Sequence, residues 1–384
     1  MEAPEPPAPA ANSYQETLQL QLLDAQPGDV ITIPAGRHAF NRSLRLGADG
    51  VTIRGAGMDE TVLSFADQRS GAEGLLVTGS DFTIEDLAIE DTTGDALKIN
   101  EAQNVVIRRV RTEWTGGPKT ENGAYGLYPV QTRNVLIEDC VAIGASDAGI
   151  YVGQSEQVVV RNNRAEYNVA GIEIENTRHA DVYGNVATNN TGGILVFNMP
   201  NLPQTGTDVR VYDNDVFENN TTNFGIPGTA VASVPAGSGV VVNSHDRIEI
   251  FANRIRNNRT ANIIISSMYS SGWAAAETVA GFDPYPDQIS IRDNTFEGGG
   301  DSPDGLDLKA LKTLMFGLTG AFPDVIWDGH VATDEAAARI CVADPAVEVL
   351  NVDGPNGNKS PRVEREPHAC ALTTLAPVTL AAAP

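Results

Sequence analysis

An all-β solenoid, a single-stranded parallel β-helix, is the fold class this sequence predicts, and three observations predict it. The first is a strand pattern with an apolar residue at every second position. It returns at VTIRG (51–55), FTIED (82–86), VVIRR (105–109), VLIED (135–139), VVVRN (158–162), DVYGN (181–185), VRVYD (209–213), IEIFA (248–252) and ISIRD (289–293). The second is an interleaved series: DALKIN, YGLYPV, AGIYVG, AGIEIE, GGILVF, SGVVVN and ANIIIS. The third is the period, tightest where Ile150, Ile172 and Ile194 fall 22 residues apart. One such unit cannot bury its own apolar face and must stack on a copy of itself.

The elements follow in chain order. Residues 1–13 (MEAPEPPAPAANS) read as a flexible Pro/Ala-rich tether, of the kind that follows a removed export signal. Residues 14–25 predict an amphipathic helix with Leu18, Leu22 and Leu23 on one side, capping the open end of the stack. Residues 26–300 are the β-helix domain and 301–384 a C-terminal cap, opened by a helical stretch at 306–320. The coil count comes to roughly nine to ten, a rod on the order of 45 Å long.

Two smaller repeats support parallel stacking. Asn recurs after the first strand type at 163, 185, 214, 253 and 294, where stacked amides form a hydrogen-bonded ladder. Gly precedes the second strand type at 126, 149, 171, 193 and 239, read as a sharp turn without a Cβ. Cys341 and Cys370 lie in the loop-rich tail, where a bridge implies an oxidising compartment; Cys140 reads as a buried thiol in a repeat strand.

Composition excludes several functions. With 50 acidic against 26 basic residues the net charge is −24, which argues against nucleic acid and anionic membranes. No apolar run reaches the ~18 residues of a membrane span. There is no P-loop, no CxxC and no HExxH, and the five His are scattered. No cofactor is evident; calcium is weighed only at Asp283, Tyr285 and Asp287 in FDPYPDQ, against a stiff Pro-flanked turn.

Alternation in the second strand series sends Lys98, Tyr128, Tyr151, Glu173, Leu195, Val241 and Ile264 outward, with Asn100, Val130, Gly153, Glu175, Phe197, Asn243 and Ser266 as a second outward row. Insertions at 116–124, 198–208, 219–238 and 268–288 flank these strands and are expected to wall them into a groove. Carboxylates, phenols and a Lys at ~4.8 Å steps suit an extended polysaccharide. The candidate catalytic residues are Lys98, Tyr125, Tyr128, Tyr151 and Glu173; the candidate substrate-binding residues are Asn100, Arg133, Glu175, His179, Phe197 and Asn243. Between 98 and 133 six basic residues face three acidic ones, an island suited to a uronate. The alternative is a non-catalytic envelope scaffold that meets a protein partner through Leu195, Phe197, Val241 and Ile264.

GDVITIPAG, then VTIRGAGMDETVLSF, then the coils resemble the right-handed parallel β-helix superfamily typified by pectate lyases. Closer still, the chain is similar to exported bacterial β-helix repeat proteins related to the mannuronan C5-epimerases. The resemblance covers about residues 25–300 and implies a periplasmic or extracellular protein acting on polysaccharide by lyase-, hydrolase- or epimerase-type chemistry. The epimerases carry a YGFDPH-type segment; here YGLYPVQ keeps Tyr125, Gly126 and Pro129, but Tyr128 stands for the Asp and Val130 for the His. A further acidic position of that family falls on Gly153. The resemblance therefore leaves a role for Tyr125 alone and argues against ordinary epimerisation.

Overall fold

The protein was described from a computed structural model, which covers residues 14–271, 281–332 and 340–381. The tether at 1–13 and part of the 268–288 insertion lie outside these residues. The described residues form two sheets, one of 19 strands (sheet 1) and one of 12 (sheet 2), parallel except at the last strand of sheet 2 and wound as a solenoid. The period seen in the sequence is the coil: Ile150, Ile172 and Ile194 are register partners on successive turns. Opposite them Ile137, Val160, Val182, Val211 and Ile250 form a second column, and all of these side chains are fully buried. Each such burial contributes about 1.5–3 kcal/mol, which a single coil cannot obtain alone.

Sheet 2 corrects the coil count from nine or ten to about 12 turns. The stack does not stop at residue 300. Strands Val325–Trp327 and Val349–Asn351 continue sheet 2 in parallel, Ile340–Val342 continues sheet 1, and antiparallel Arg362–Glu364 closes the end. These three-residue strands were too short to carry a readable alternation. Helix α1 (Tyr14–Asp24) caps the N-terminal end through buried Leu18 and Leu22, while Leu23 is exposed, contrary to expectation. Helix α2 (Leu306–Phe316) packs Leu308, Leu311 and Met315 beside the last turns.

The Asn ladder is present. Asn185 Nδ2 donates to Asn214 Oδ1 at 2.9 Å and to Val160 O at 3.0 Å, and its Oδ1 accepts from Asn163 N and Nδ2. Cys140 sits at the same bend rather than inside a strand, and its amide donates to Asn163 Oδ1. A second ladder runs through Asn168, Asn190, Asn219 and Asn258. It also revises the reason for the glycines. A Cβ at Gly149 would stand 2.6 Å from Asn168 Nδ2, and one at Gly171 would stand 2.6 Å from Gly193 O. Close approach by ladder and neighbouring backbone, not a left-handed turn, demands Gly there.

The Cys341–Cys370 disulfide forms. Cys341 pairs in register with Ser290 on the outer face of sheet 1, so the bridge anchors the tail against that face. From there the chain runs back along the sheet. Leu372 and Leu375 lie by Glu249 and Ser290, Val378 N donates to Asp181 Oδ2, and Ala381 N donates to Asn134 Oδ1.

Candidate functional site

Four strands of sheet 2 build the site: Leu97–Asn100, Tyr125–Val130, Ala148–Gly153 and Ala170–Glu175. Register stacks Lys98 on Tyr128 and Tyr151 on Glu173. Tyr125, Tyr128 and Tyr151 form a triad with ring centroids 4.5, 4.5 and 5.0 Å apart. Lys98 Nζ lies 4.8 Å above the Tyr128 ring and 3.9 Å from Asp95 Oδ2. The Tyr151 ring folds over Gly153, where any Cβ would collide with it, and its hydroxyl donates to Glu175 Oε1 at 2.6 Å. Gln154 Nε2 donates to the same oxygen at 3.1 Å. Tyr125 Oη donates to Asp147 Oδ2 at 3.4 Å.

Four carboxyl groups therefore meet one ammonium. Burial, then the neighbouring Glu73 charge against Lys98, pushes Asp95 up to about 6. Burial and the Glu175 charge push Asp147 up to about 7. Burial followed by the charges of Asp147 and Glu175 raises Glu173 well above the carboxylate range, and burial raises Glu175. Glu173 is fully buried, and among the described residues its Oε2 has no hydrogen-bond partner. Burial also raises Tyr125 and Tyr151 well above a free phenol and Tyr128 to about 12. These tyrosines hold their protons at neutral pH.

The cluster is graded in access. Tyr151, Glu173 and Asp147 are buried, whereas Asp95, Lys98, Asn100 and Tyr128 remain partly open. The outward rows are thus not uniformly solvent-facing. Phe197 and Asn243, placed by the sequence in the second row, are 3% exposed. Val231 and Val234 from the 219–238 insertion pack on Leu195, Phe197 and Val241. That insertion crosses the face instead of walling it and covers Leu195, while Phe197, Val241 and Ile264 also line a cavity beside it.

Two candidates stand elsewhere. Arg133 begins a strand of sheet 1 and pairs with Glu156 at 3.8 Å; His179 lies on sheet 1 with Nδ1 4.0 Å from Asp208. Both follow the bend after a sheet 2 strand, so alternation no longer fixes their face. The basic island dissolves for the same reason. Arg108 bonds Glu138, Arg109 bonds Asp86, and Arg111 pairs with Glu90 and Glu113, all on sheet 1. Among the described residues no group of three His, Cys, Asp or Glu is placed to hold a metal ion. Asp283 Oδ1 instead accepts from Tyr285 N, and Asp287 N donates to Asp246.

Sequence reasoning missed Asp95, Asp147 and Gln154. Asp95 opens the DALKIN segment and Asp147 directly precedes AGIYVG. Their signal was position: both end the bend leading into a site strand, outside the alternation that selected the other residues.

Ladders, register and the polar face of sheet 2 define a parallel β-helix protein. Residues 49–216 match the family described as right handed beta helix region, so the chain is similar to that family over this stretch. Among curated proteins it is similar to a pre-neck appendage protein of Bacillus phage B103, 28% identical over 214 residues. That match covers 46% of this chain and only 24% of the relative's length. Among solved structures it resembles the A-module of the Azotobacter vinelandii mannuronan C-5 epimerase AlgE4, at 19% identity and a TM-score of 0.53, covering 76% of this chain and 86% of that one. It also resembles the enzymatically active domain of tailspike protein 2 of bacteriophage CBA120, at 10% identity and a TM-score of 0.51, covering 75% and 41%. At these identities the likeness is one of fold.

Proposed function

We propose that this chain binds an uncharged polysaccharide at the open end of the sheet 2 cluster and hydrolyses its glycosidic bonds. The observation that carries this reading is Asp95, a partly open carboxyl balanced near pH 6 beside Lys98 and Tyr128. Asp147 lies two turns on, since Asp95 and Ala148 both align with Tyr125. Two turns are roughly 10 Å, near the separation of two carboxyls that activate a water and protonate a leaving oxygen. Asp95, ionised first, takes the proton of the attacking water. Asp147 gives its proton to the departing glycosidic oxygen, so the elements of one water are added.

Lyase or epimerase chemistry on a uronate is less well supported. It needs cations to neutralise the sugar carboxylate, and here one Lys faces four carboxyls. The tyrosines, with raised pKa, keep their protons at neutral pH and so are not available there as bases. The fold is shared with proteins whose names describe an epimerase and an enzymatically active tailspike domain, which supports a polysaccharide as the substrate class. An extracellular or periplasmic setting is supported by the disulfide and by the likeness to a phage appendage protein. The envelope-scaffold alternative is less well supported, because Val231 and Val234 of the 219–238 insertion cover part of its docking patch.

The test is mass spectrometry of oligosaccharides incubated with the protein in ¹⁸O-labelled heavy water. Hydrolysis adds solvent oxygen. Unsaturated ends, or deuterium gained without cleavage, would refute it in favour of elimination or epimerisation; no change in any sugar would refute turnover. Asp95→Asn is expected to lower the rate ~10²–10⁴-fold with the fold intact.

A further inference from the structure

A second cavity opens on the same face of sheet 2, toward the C-terminal end. Five strand pairings separate the Tyr128 strand from the Ser266 strand, about 24 Å along the axis. Val231 and Val234, seated on Leu195, lie between the two openings. The cavity has a volume of about 430 Å³, within the ~300–1,000 Å³ of small-molecule sites. Its floor is apolar, from Val241, Ile264 and Ile326; Tyr269 stands at one wall, and His330 and Asn358 stand at the rim.

The lining restricts the ligand. Among the described residues no Lys or Arg borders the cavity. Its carboxylate, Asp328, is already saturated: Oδ2 accepts from Ser267 N at 2.6 Å, Ser267 Oγ at 2.7 Å and Ser270 Oγ at 2.8 Å, and Oδ1 accepts from His330 N at 3.0 Å. A charged ligand would lose its hydration without gaining a counter-charge. A wholly apolar ligand would strip water from the rim without replacing its hydrogen bonds. The chemistry that suits both surfaces is uncharged and two-faced, with C–H groups against the floor and Tyr269 and hydroxyls toward the rim.

We infer that this cavity is a second binding site, for an uncharged pyranose unit of a polysaccharide. That the ligand is a sugar rests on the function proposed above; that it is uncharged and two-faced rests on the cavity. The site has no need of the chemistry at Asp95 and holds sugar whether or not a bond is cleaved.

Isothermal titration with maltohexaose, cellohexaose and xylohexaose, and with hexagalacturonate as the charged control, tests it. The variants are Tyr269→Ala and Ser233→Trp, the latter an exposed rim residue whose enlargement plugs the opening without touching the core. An uncharged hexamer is expected to bind the wild type and to lose at least tenfold in affinity in both variants. Unchanged affinity in both plugged and truncated variants overturns the site, as does equal binding of hexagalacturonate. Binding that the variants weaken, without cleavage in the labelled-water assay, removes the hydrolase reading and leaves this site standing. Cleavage whose KM both variants leave unchanged removes this site and leaves the hydrolase.

Discussion

The outer faces of the two sheets are built from the same parallel register and reach opposite electrostatic ends. On sheet 1 one outward row reads Arg54, Glu85, Arg108, Glu138 and Arg161 on successive turns. Opposite charges therefore meet at every step: Glu138 takes Arg108 at 2.5 Å and Arg161 at 2.5 Å. Burial opposes ionisation of Glu138, yet the two guanidinium bonds hold its pKa below the usual carboxylate range. The row continues as Tyr183, Tyr212 and Phe251, stacked 4.8 Å apart and nearly parallel, with Arg292 4.0 Å over the last ring. Ring faces that cover one another are not available to a ligand. On sheet 2 the same register stacks Tyr128 on Lys98 and Glu173 on Tyr151, and Asp95, Asp147, Glu173 and Glu175 gather with Lys98 as their one cation among the described residues. Local satisfaction marks the structural face, and its failure marks the candidate site.

The comparison breaks most visibly where both faces share a support. Asn185→Ala removes a ladder residue bonded to both neighbouring coils, leaving the Asn163 amide and the Val160 carbonyl without partners. At about 1–3 kcal/mol for each orphaned group, a loss of roughly 3 kcal/mol or more is expected in urea unfolding. A loss under about 1 kcal/mol would mean the ladder is incidental to the stack. Next comes the tail that lies on sheet 1 alone. Replacing Cys341 and Cys370 by Ser opens a loop with a sequence separation of 29 and is expected to remove about 2–4 kcal/mol. Limited proteolysis should then cut the 371–381 segment first while sugar binding on sheet 2 persists. Equal protease resistance with and without the bridge would show that Val378 and Ala381 hold the tail unaided.

Much of the fold was legible because a stacked coil writes itself as a period. Ile150, Ile172 and Ile194 share one column, and Asn163 through Asn294 share one bend, so spacing alone located them. The site was legible in part. Alternation brought Lys98, Tyr128, Tyr151 and Glu173 together correctly, since they lie on straight strands. It could not carry past a bend, which is why Arg133 and His179 were misplaced and Asp95 and Asp147 overlooked. Nor does alternation report what covers a face: Val231 and Val234 belong to an aperiodic insertion, and only folding brings them onto Leu195.

The two faces should also respond to pH in opposite directions, and a smaller effect measures this. Glu173 has a folded pKa raised above its unfolded value, so its contribution is complete below about pH 4 and is lost as pH rises through the folded value. Glu173→Gln keeps the shape and removes that titration. Its melting temperature should match the wild type near pH 4 and exceed it at pH 8 by more than about 2 °C, the shift that 1 kcal/mol produces in a chain of this size. A difference that stays constant from pH 4 to 8 would mean Glu173 is ionised in the fold.

Smallest is the counterpart on sheet 1. Glu138 has a lowered folded pKa, so its contribution is present above the unfolded value of about 4 and lost as pH falls through the folded one. Arg161 is 37% exposed and Arg108 stays bonded after its removal, so solvent screening leaves Arg161→Ala at under about 1 kcal/mol. That loss should appear at pH 7, shrink in high salt and fade as pH falls through the lowered folded pKa of Glu138. The sheet 2 cluster strengthens as pH falls from about 7 to 4, and the sheet 1 ladder weakens only below about 4. Their sum places greatest stability on the mildly acidic side of neutral, the range in which Asp95 and Asp147 exchange their protons.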